Sequence, residues 1–314
     1  MRRGAALQAA VSAVSLAAVV WWVLRQPAPA LPATAGGGAL IVAAIAVYAL
    51  ATVGRAERWQ QILARARVHV ARRETYRLTA VGYMGNNVLP ARGGELLRVF
   101  LLASLAAASR RTVLGTVVAE RLLDALALAL VFVAVVSGGG HGASVPGDAR
   151  LVLALAGAAL VLLVATLLGA VARERIRVFL RPLVAATRNL VSAHGIALLA
   201  LSLVVWTLEA VVYVIVARAA ALDLDLVGAL YLTALTNLFA LIPAGPGYVG
   251  TFDAAVVFGA RSLGADGAEA VAYLLLLRFV LFVPITLTGL AFLAARYGGW
   301  VRYRAAAAGD AALR

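Results

Sequence analysis

Gly82-Tyr-Met-Gly-Asn-Asn-Val-Leu-Pro-Ala-Arg-Gly-Gly94 interrupts an apolar run that extends over 78–105. Pro90 removes a backbone donor and the surrounding glycines free the backbone, so a helix must break there. A second break, Leu241-Ile-Pro-Ala-Gly-Pro-Gly-Tyr-Val-Gly250, interrupts the apolar run over 226–262. Both lie in a chain of 314 residues that is 64% hydrophobic without counting Gly. Its mean hydropathy is +0.96. Soluble domains reach only about 45–50% apolar even with Gly included, so a soluble globular fold is excluded. Broken backbone inside lipid survives only where protein or a watery cavity covers it. The two breaks therefore point to a bundle with an interior worth covering.

A span of the roughly 30 Å hydrocarbon core takes about 20 apolar residues. The stretches 5–24, 38–54, 112–136, 150–172, 196–217 and 269–294 qualify. The first follows Arg2 and Arg3 and resembles a signal peptide in its flanks. Its apolar run of about 20 residues exceeds the usual 7–15 of a signal core, so a retained helix is expected.

All 28 basic residues are Arg, and the net charge is +14. Without Lys there is no P-loop and no Schiff-base chemistry. Without Cys there is no thiolate ligand or nucleophile. His69, His141 and His194 make no metal-ligand spacing, and no cofactor is expected. The Arg distribution orients the chain, because cytoplasmic loops accumulate positive charge. With the N-terminus inside, Arg2, Arg3, the cluster from Arg55 to Arg77, Arg110, Arg111, the cluster from Arg173 to Arg188, and Arg296 onward are cytoplasmic. Arg25, Arg150, Arg218 and Arg261 fall outside, beside Asp148, Asp223, Asp225, Asp266 and Glu269.

That asymmetry survives only if 78–105 and 226–262 each return to the side they came from. The expectation is six full spans plus two re-entrant helical hairpins entering from opposite faces, all-α, with both termini cytoplasmic; two kinked spans or surface loops are the alternative. Pro90-Ala-Arg-Gly-Gly94 and Pro243-Ala-Gly-Pro-Gly247 share Pro, Ala and the final Gly. Inverted repeats with broken helices meeting at the midplane are a transporter architecture. The segment 55–77 interleaves Arg with Trp59, Ile62, Leu63, Val68 and Val70, and is expected to be an amphipathic helix at the inner interface. A nucleic-acid surface is not expected, because membrane-proximal Arg already accounts for the charge.

Charges inside spans cost at least about 2.5–3.5 kcal/mol each and usually pair or line a pathway. Here they are Arg92, Glu95, Arg98, Glu120, Arg121, Asp124, Glu209, Asp253 and Arg278. Glu120 and Asp124 share a helix face at i,i+4, and Arg121 is i,i+3 from Asp124. Salt bridges that merely fix packing are the plain alternative. Hydrophobic replacement of a buried pair is often neutral or stabilising, so stability is a poor reason to keep so many. Arg beside a Gly-rich break offers a planar fork and free N–H groups suited to phosphate. Asn86, Asn87 and Asn237 add neutral polar contacts. The residues point to a polar cavity suited to an anionic or zwitterionic headgroup.

Three ordered motifs carry a family resemblance: Asn87-x-x-Pro90-x-Arg92-x-Gly94-Glu95-x-x-Arg98, then Glu120-Arg121-x-x-Asp124, then Pro243-x-x-Pro246-Gly247-x-x-Gly250. Over about 38–294 the chain resembles the lysylphosphatidylglycerol synthase transmembrane family of flippase-like domains. The resemblance implies a lipid-moving bundle whose substrate site involves these motif residues. Asp253 stands where the family often has Glu, which keeps the charge and shortens the reach. Synthase members carry a soluble aminoacyl-transferase domain after the membrane part. Here an Arg/Ala-rich tail follows over 296–314, so no synthase activity is expected. One membrane domain over 1–314 is expected, in the plasma (inner) membrane, acting on a phospholipid or polyprenyl-linked lipid. Two other functions are open at this point. One is a non-catalytic subunit anchoring a glycosyltransferase or aminoacyl-transferase; the other is a membrane enzyme on a lipid-linked sugar.

Overall fold

The computed structural model describes residues 14, 17–28, 34–89, 92–137, 193–240 and 245–298. Most of the expected span 5–24 before residue 17, all of 150–172, both Pro90 and Pro243, and the tail beyond 298 lie outside the described residues. Those described are mostly helical, with no strand among them. The helices are α1 (Ala35–Arg65), α2 (Arg72–Val88), α3 (Gly93–Leu105), α4 (Arg110–Ser137), α5 (Ala193–Ala219), α6 (Leu226–Phe239), α7 (Thr251–Ser262) and α8 (Gly267–Tyr297). A 3₁₀ turn, Pro246–Tyr248, lies between α6 and α7.

Helix α1, α5 and α8 are long and apolar enough to cross a membrane. Helix α4 has 28 residues and carries Glu120, Arg121 and Asp124 along it. The helices outrun their apolar stretches because caps set their ends. Thr34 Oγ1 accepts from Gly37 N at 3.1 Å to start α1. Asp266 and Glu269 form a reciprocal capping box for α8. Gly298, in the left-handed region at φ 69°, ends α8.

One expectation is corrected here. Residues 55–77 are not a single interfacial amphipathic helix: α1 continues through Arg65, a turn at 66–67 and an irregular stretch to 71 follow, and α2 begins at Arg72. Nothing between Ala51 and Arg65 stops the helix, since Arg, Gln, Glu and Leu are good helix formers. Arg55 and Arg58 consequently ride α1 into the bundle, where both are buried.

Each broken segment is a pair of antiparallel arms. In the first, Gly85 of α2 faces Gly94 of α3, and Gly82 faces Arg98 one turn further from the break. A Cβ on Gly94 would stand 1.9 Å from the Gly82 carbonyl oxygen and 2.4 Å from Asn86 N, so only glycine permits this approach. Leu89 is extended, as a residue before proline prefers to be, and Arg92 starts α3 from a left-handed φ of 55°. In the second, Leu232 and Leu235 of α6 meet Gly259 of α7, and the Tyr231 hydroxyl lies 3.3 Å from Ser262 Oγ.

Helix α8 measures both hairpins. The base of the first sits at its C-terminal end, where Tyr297 donates to Glu74 at 2.9 Å and Arg296 reaches the same carboxylate at 3.3 Å. Burial pushes the Glu74 carboxyl up, but the Tyr297 hydrogen bond and the Arg296 and Arg77 charges outweigh it and hold it below its usual range. The base of the second hairpin sits at the other end of α8, where Arg261 donates to the Ala265 carbonyl at 3.0 Å. The 31 residues of α8 separate the two bases by about 46 Å at 1.5 Å per residue. Both tips reach its middle: Asn87 Nδ2 donates to Thr286 Oγ1 at 2.9 Å, and Arg278 Nη1 donates to the Gly247 carbonyl at 3.3 Å.

Candidate functional site

The charges of α4 organise the centre. Glu120 is almost fully buried and takes Arg98 Nη2 at 2.8 Å on one oxygen and Arg121 Nη2 at 2.6 Å on the other. Asp124, one turn on, takes Arg58 Nη1 at 2.7 Å and Arg121 Nη1 at 3.4 Å. Arg58 also donates to Ser202 Oγ at 2.6 Å. Arg121 Nε is 3.5 Å from Glu95, and Arg92 is 3.9 Å from the same carboxylate. Arg55 pairs with Glu209 of α5. That pairing follows from the close contact of α1 with α5, where Gly54 leaves no room for a Cβ against Val205.

Exposure divides these cations into two roles. The Arg55, Arg58 and Arg98 side chains are 4%, 0% and 4% exposed, whereas Arg92 and Arg121 are 30% and 32% exposed. Arg58 and Arg98 fix helices to one another, and the Arg98 guanidinium lies 4.4 Å over the Trp59 ring. Arg92 and Arg121 open onto a cavity of about 110 Å³. Arg55, Asp124, Glu209, Asn86, Asn87, Asn237 and Tyr83 also line it, with Tyr48, Trp206, Tyr213 and Tyr248.

Residues flanking both breaks border this space. Arg92 Nη2 donates to the Ala240 carbonyl at 3.3 Å, and its guanidinium lies 5.6 Å from the Tyr248 ring centre. Arg92 and Tyr248 each hold a left-handed φ, 55° and 54°. These are conformations that cost bulky residues energy and that cluster where a segment must clamp or switch.

Of the residues singled out in the sequence, Asn86, Asn87, Arg92, Arg121, Asp124, Glu209 and Asn237 line the cavity, and Glu95, Arg98 and Glu120 hold those that do. Asp253 and Arg278 form a separate pair beneath the second break. Asp253 accepts from Gly250 N at 2.8 Å, pairs with Arg278, and sets that guanidinium between Phe252 and Phe282. Arg278 does not project into the shared cavity, because its reach is used on Asp253 and the Gly247 carbonyl. Gly247 is buried at φ 65°, where glycine is favoured, while Pro246 is exposed. Pro90 and Pro243 lie outside the described residues.

Sequence reasoning missed Arg55 and Arg58. The signal that could have found them is a shortage: the intramembrane acids Glu95, Glu120, Asp124, Glu209 and Asp253 outnumber Arg92, Arg98, Arg121 and Arg278 by one. Glu209 has no cation elsewhere in its own span. The next Arg beyond the apolar face of α1, at 55 and 58, supplies what is lacking.

The chain matches the family described as the lysylphosphatidylglycerol synthase TM region over residues 6–289. It belongs to that family, and with its long apolar helices it is an integral membrane protein. No curated protein and no solved structure matches it.

Proposed function

We propose that this member of the lysylphosphatidylglycerol synthase transmembrane family moves a lipid between the leaflets of the plasma membrane. The cargo is a phospholipid or lipid-linked precursor whose headgroup is anionic or zwitterionic. The observation that carries this reading is a guanidinium-lined cavity bordered by residues flanking both helix breaks, at the middle of an apolar bundle. A headgroup cannot cross hydrocarbon unaided, because each bare charge there costs several kcal/mol. The cavity replaces its water with fixed donors. With the hairpin bases at opposite ends of α8, each tip gates its own side. The Arg92 contacts to Ala240 and Tyr248 join the tips, while the Glu120 pairs hold α3 and α4 as a fixed frame.

We read the protein as a transporter rather than an enzyme, and the pairing of its buried acids supports that reading. Among the described residues, Glu95, Asp124 and Glu209 each already face a guanidinium, so none stands as a free acid or base. The orientation follows from charge. The end of the bundle holding Arg72, Arg73, Arg77 and Arg296 is cytoplasmic, and the end holding Asp223, Asp225, Asp266 and Glu269 faces out.

Two measurements test the reading. In the natural Cys-free background, a single Cys replacing Arg65 should react with an impermeant reagent only after the cells are opened; labelling of intact cells would overturn the orientation. In proteoliposomes, Arg121→Gln should slow movement of a headgroup-labelled lipid by about tenfold or more, since a hydrogen bond to a charged group is worth about 1.5–3 kcal/mol. The variant should still insert and fold. Wild-type rates in folded Arg121→Gln protein would exclude the cavity as the path.

A further inference from the structure

The proposed transport reading leaves the headgroup class open between anionic and zwitterionic, and the charges around the cavity narrow it. Among the described residues the lining holds Arg55, Arg92 and Arg121 against Asp124 and Glu209, one positive charge in excess. The surrounding network adds Arg58 and Arg98 against Glu95 and Glu120, which leaves the same excess of one. A single negative charge neutralises the site.

The unpartnered groups have the same bias. Arg55 Nη1, Arg121 Nε and Trp206 Nε1 are buried lining donors without a hydrogen-bond partner, against two such acceptors, Asn86 Oδ1 and Asp124 Oδ1. A buried donor left unpaired costs about 1–3 kcal/mol, so an incoming acceptor gains from it. An ammonium group finds the opposite conditions. Glu209 is taken by Arg55, and Asp124 is taken by Arg58 and Arg121. Aromatic rings that could cage a quaternary ammonium are occupied by the chain's own cation: the Arg55 guanidinium lies 5.4, 5.7 and 5.9 Å from the ring centres of Trp206, Tyr83 and Tyr48. Beyond donors the lining offers two buried acceptors without a hydrogen bond, and the charged one, Asp124 Oδ1, already lies 2.7 Å from Arg58 Nη1. Asn86 Oδ1 is buried with no partner and can accept from a hydroxyl.

From this we infer that the cavity selects a phosphodiester with one net negative charge and an uncharged, hydroxyl-bearing substituent, a glycerol or a sugar, and discriminates against headgroups that carry an ammonium. The substrate class is thus a phosphatidylglycerol-like lipid or a glycosyl phosphodiester of a polyprenol, not an aminoacylated or choline lipid. This rests on the transport reading for its biological sense, but it concerns binding and can be tested without transport.

The test is ligand-induced thermal stabilisation of the purified, detergent-solubilised chain, which rises with ligand concentration over Kd. The probes are short-chain phosphatidylglycerol, a short-chain polyprenyl phosphohexose, phosphatidylethanolamine, phosphatidylcholine and lysyl-phosphatidylglycerol. One or both of the first two should bind about tenfold or more tighter than any of the last three, the discrimination expected of one uncompensated buried charge. Which of the two binds tighter distinguishes glycerol from sugar. In Arg92→Gln the excess charge falls to zero, and the preference over phosphatidylethanolamine should shrink toward parity. Equal or tighter binding of any ammonium-bearing lipid by the wild-type chain would overturn the inference, whether or not the variant is stable. Tight phosphatidylglycerol binding without movement in proteoliposomes would instead sink transport and leave the headgroup assignment standing.

Discussion

Arg58→Ala should cost the bundle about 3–5 kcal/mol, the range for breaking a buried ion pair by removing one partner. Arg58 is fully buried, and its guanidinium is shared by Asp124 at 2.7 Å, Glu120 at 3.8 Å and Ser202 at 2.6 Å. It therefore ties α1 to α4 and α5 at once. Truncation empties the volume of one of the largest buried side chains and leaves Asp124 with only the longer Arg121 contact. Thermal unfolding in detergent should show a large fall in Tm. Arg58→Met with Asp124→Asn should recover much of it, because an apolar replacement of similar volume removes the uncompensated charge. An unchanged Tm in the single variant would refute a structural role for Arg58 and return it to the set of groups free to meet a ligand.

The second large effect belongs to Gly94→Ala. The added Cβ meets the Gly82 carbonyl oxygen and Asn86 N, both of them backbone, at distances no real contact reaches. No flexible side chain can swing away, so the two arms must part. Overpacking ordinarily costs about 1–3 kcal/mol, and Gly94→Ala should lie at or beyond the top of that range. Parting the arms also moves Arg98 from Glu120 and Arg92 from the second tip, so lipid movement should fall with stability. Gly38→Ala is the control: it lies in α1 with nothing within 4 Å of an added Cβ, and should leave stability unchanged or raised by about 0.5–1 kcal/mol through helix propensity, with Tm unchanged or slightly higher. Should Gly94→Ala behave like Gly38→Ala, the close packing of the first hairpin's arms would be disproved.

Much of this architecture was written locally. Apolar runs at 38–54, 112–136, 196–217 and 269–294 mark four of the long helices, because the requirement to leave water acts on each residue separately. The breaks near 90 and 243 were legible for a similar reason: proline and glycine act on their own backbone. Motif and charge suggested a shared cavity, and residues flanking the two breaks meet there through the reach of Arg92 to Ala240 and Tyr248.

The sequence by itself determined the membrane class, the places where helices break and the supply of charges for the interior. Tertiary structure alone decided which further charges join the interior and which charge each one meets. Arg55 and Arg58 lie past the end of an apolar run and read as surface, and Arg278 reads as a member of the central site. Yet the first two are enclosed by α4 and α5, and the third is held by Asp253. Whether a guanidinium is buried depends on the carboxylate that compensates its desolvation, and that partner can stand 154 positions away, as Glu209 does from Arg55.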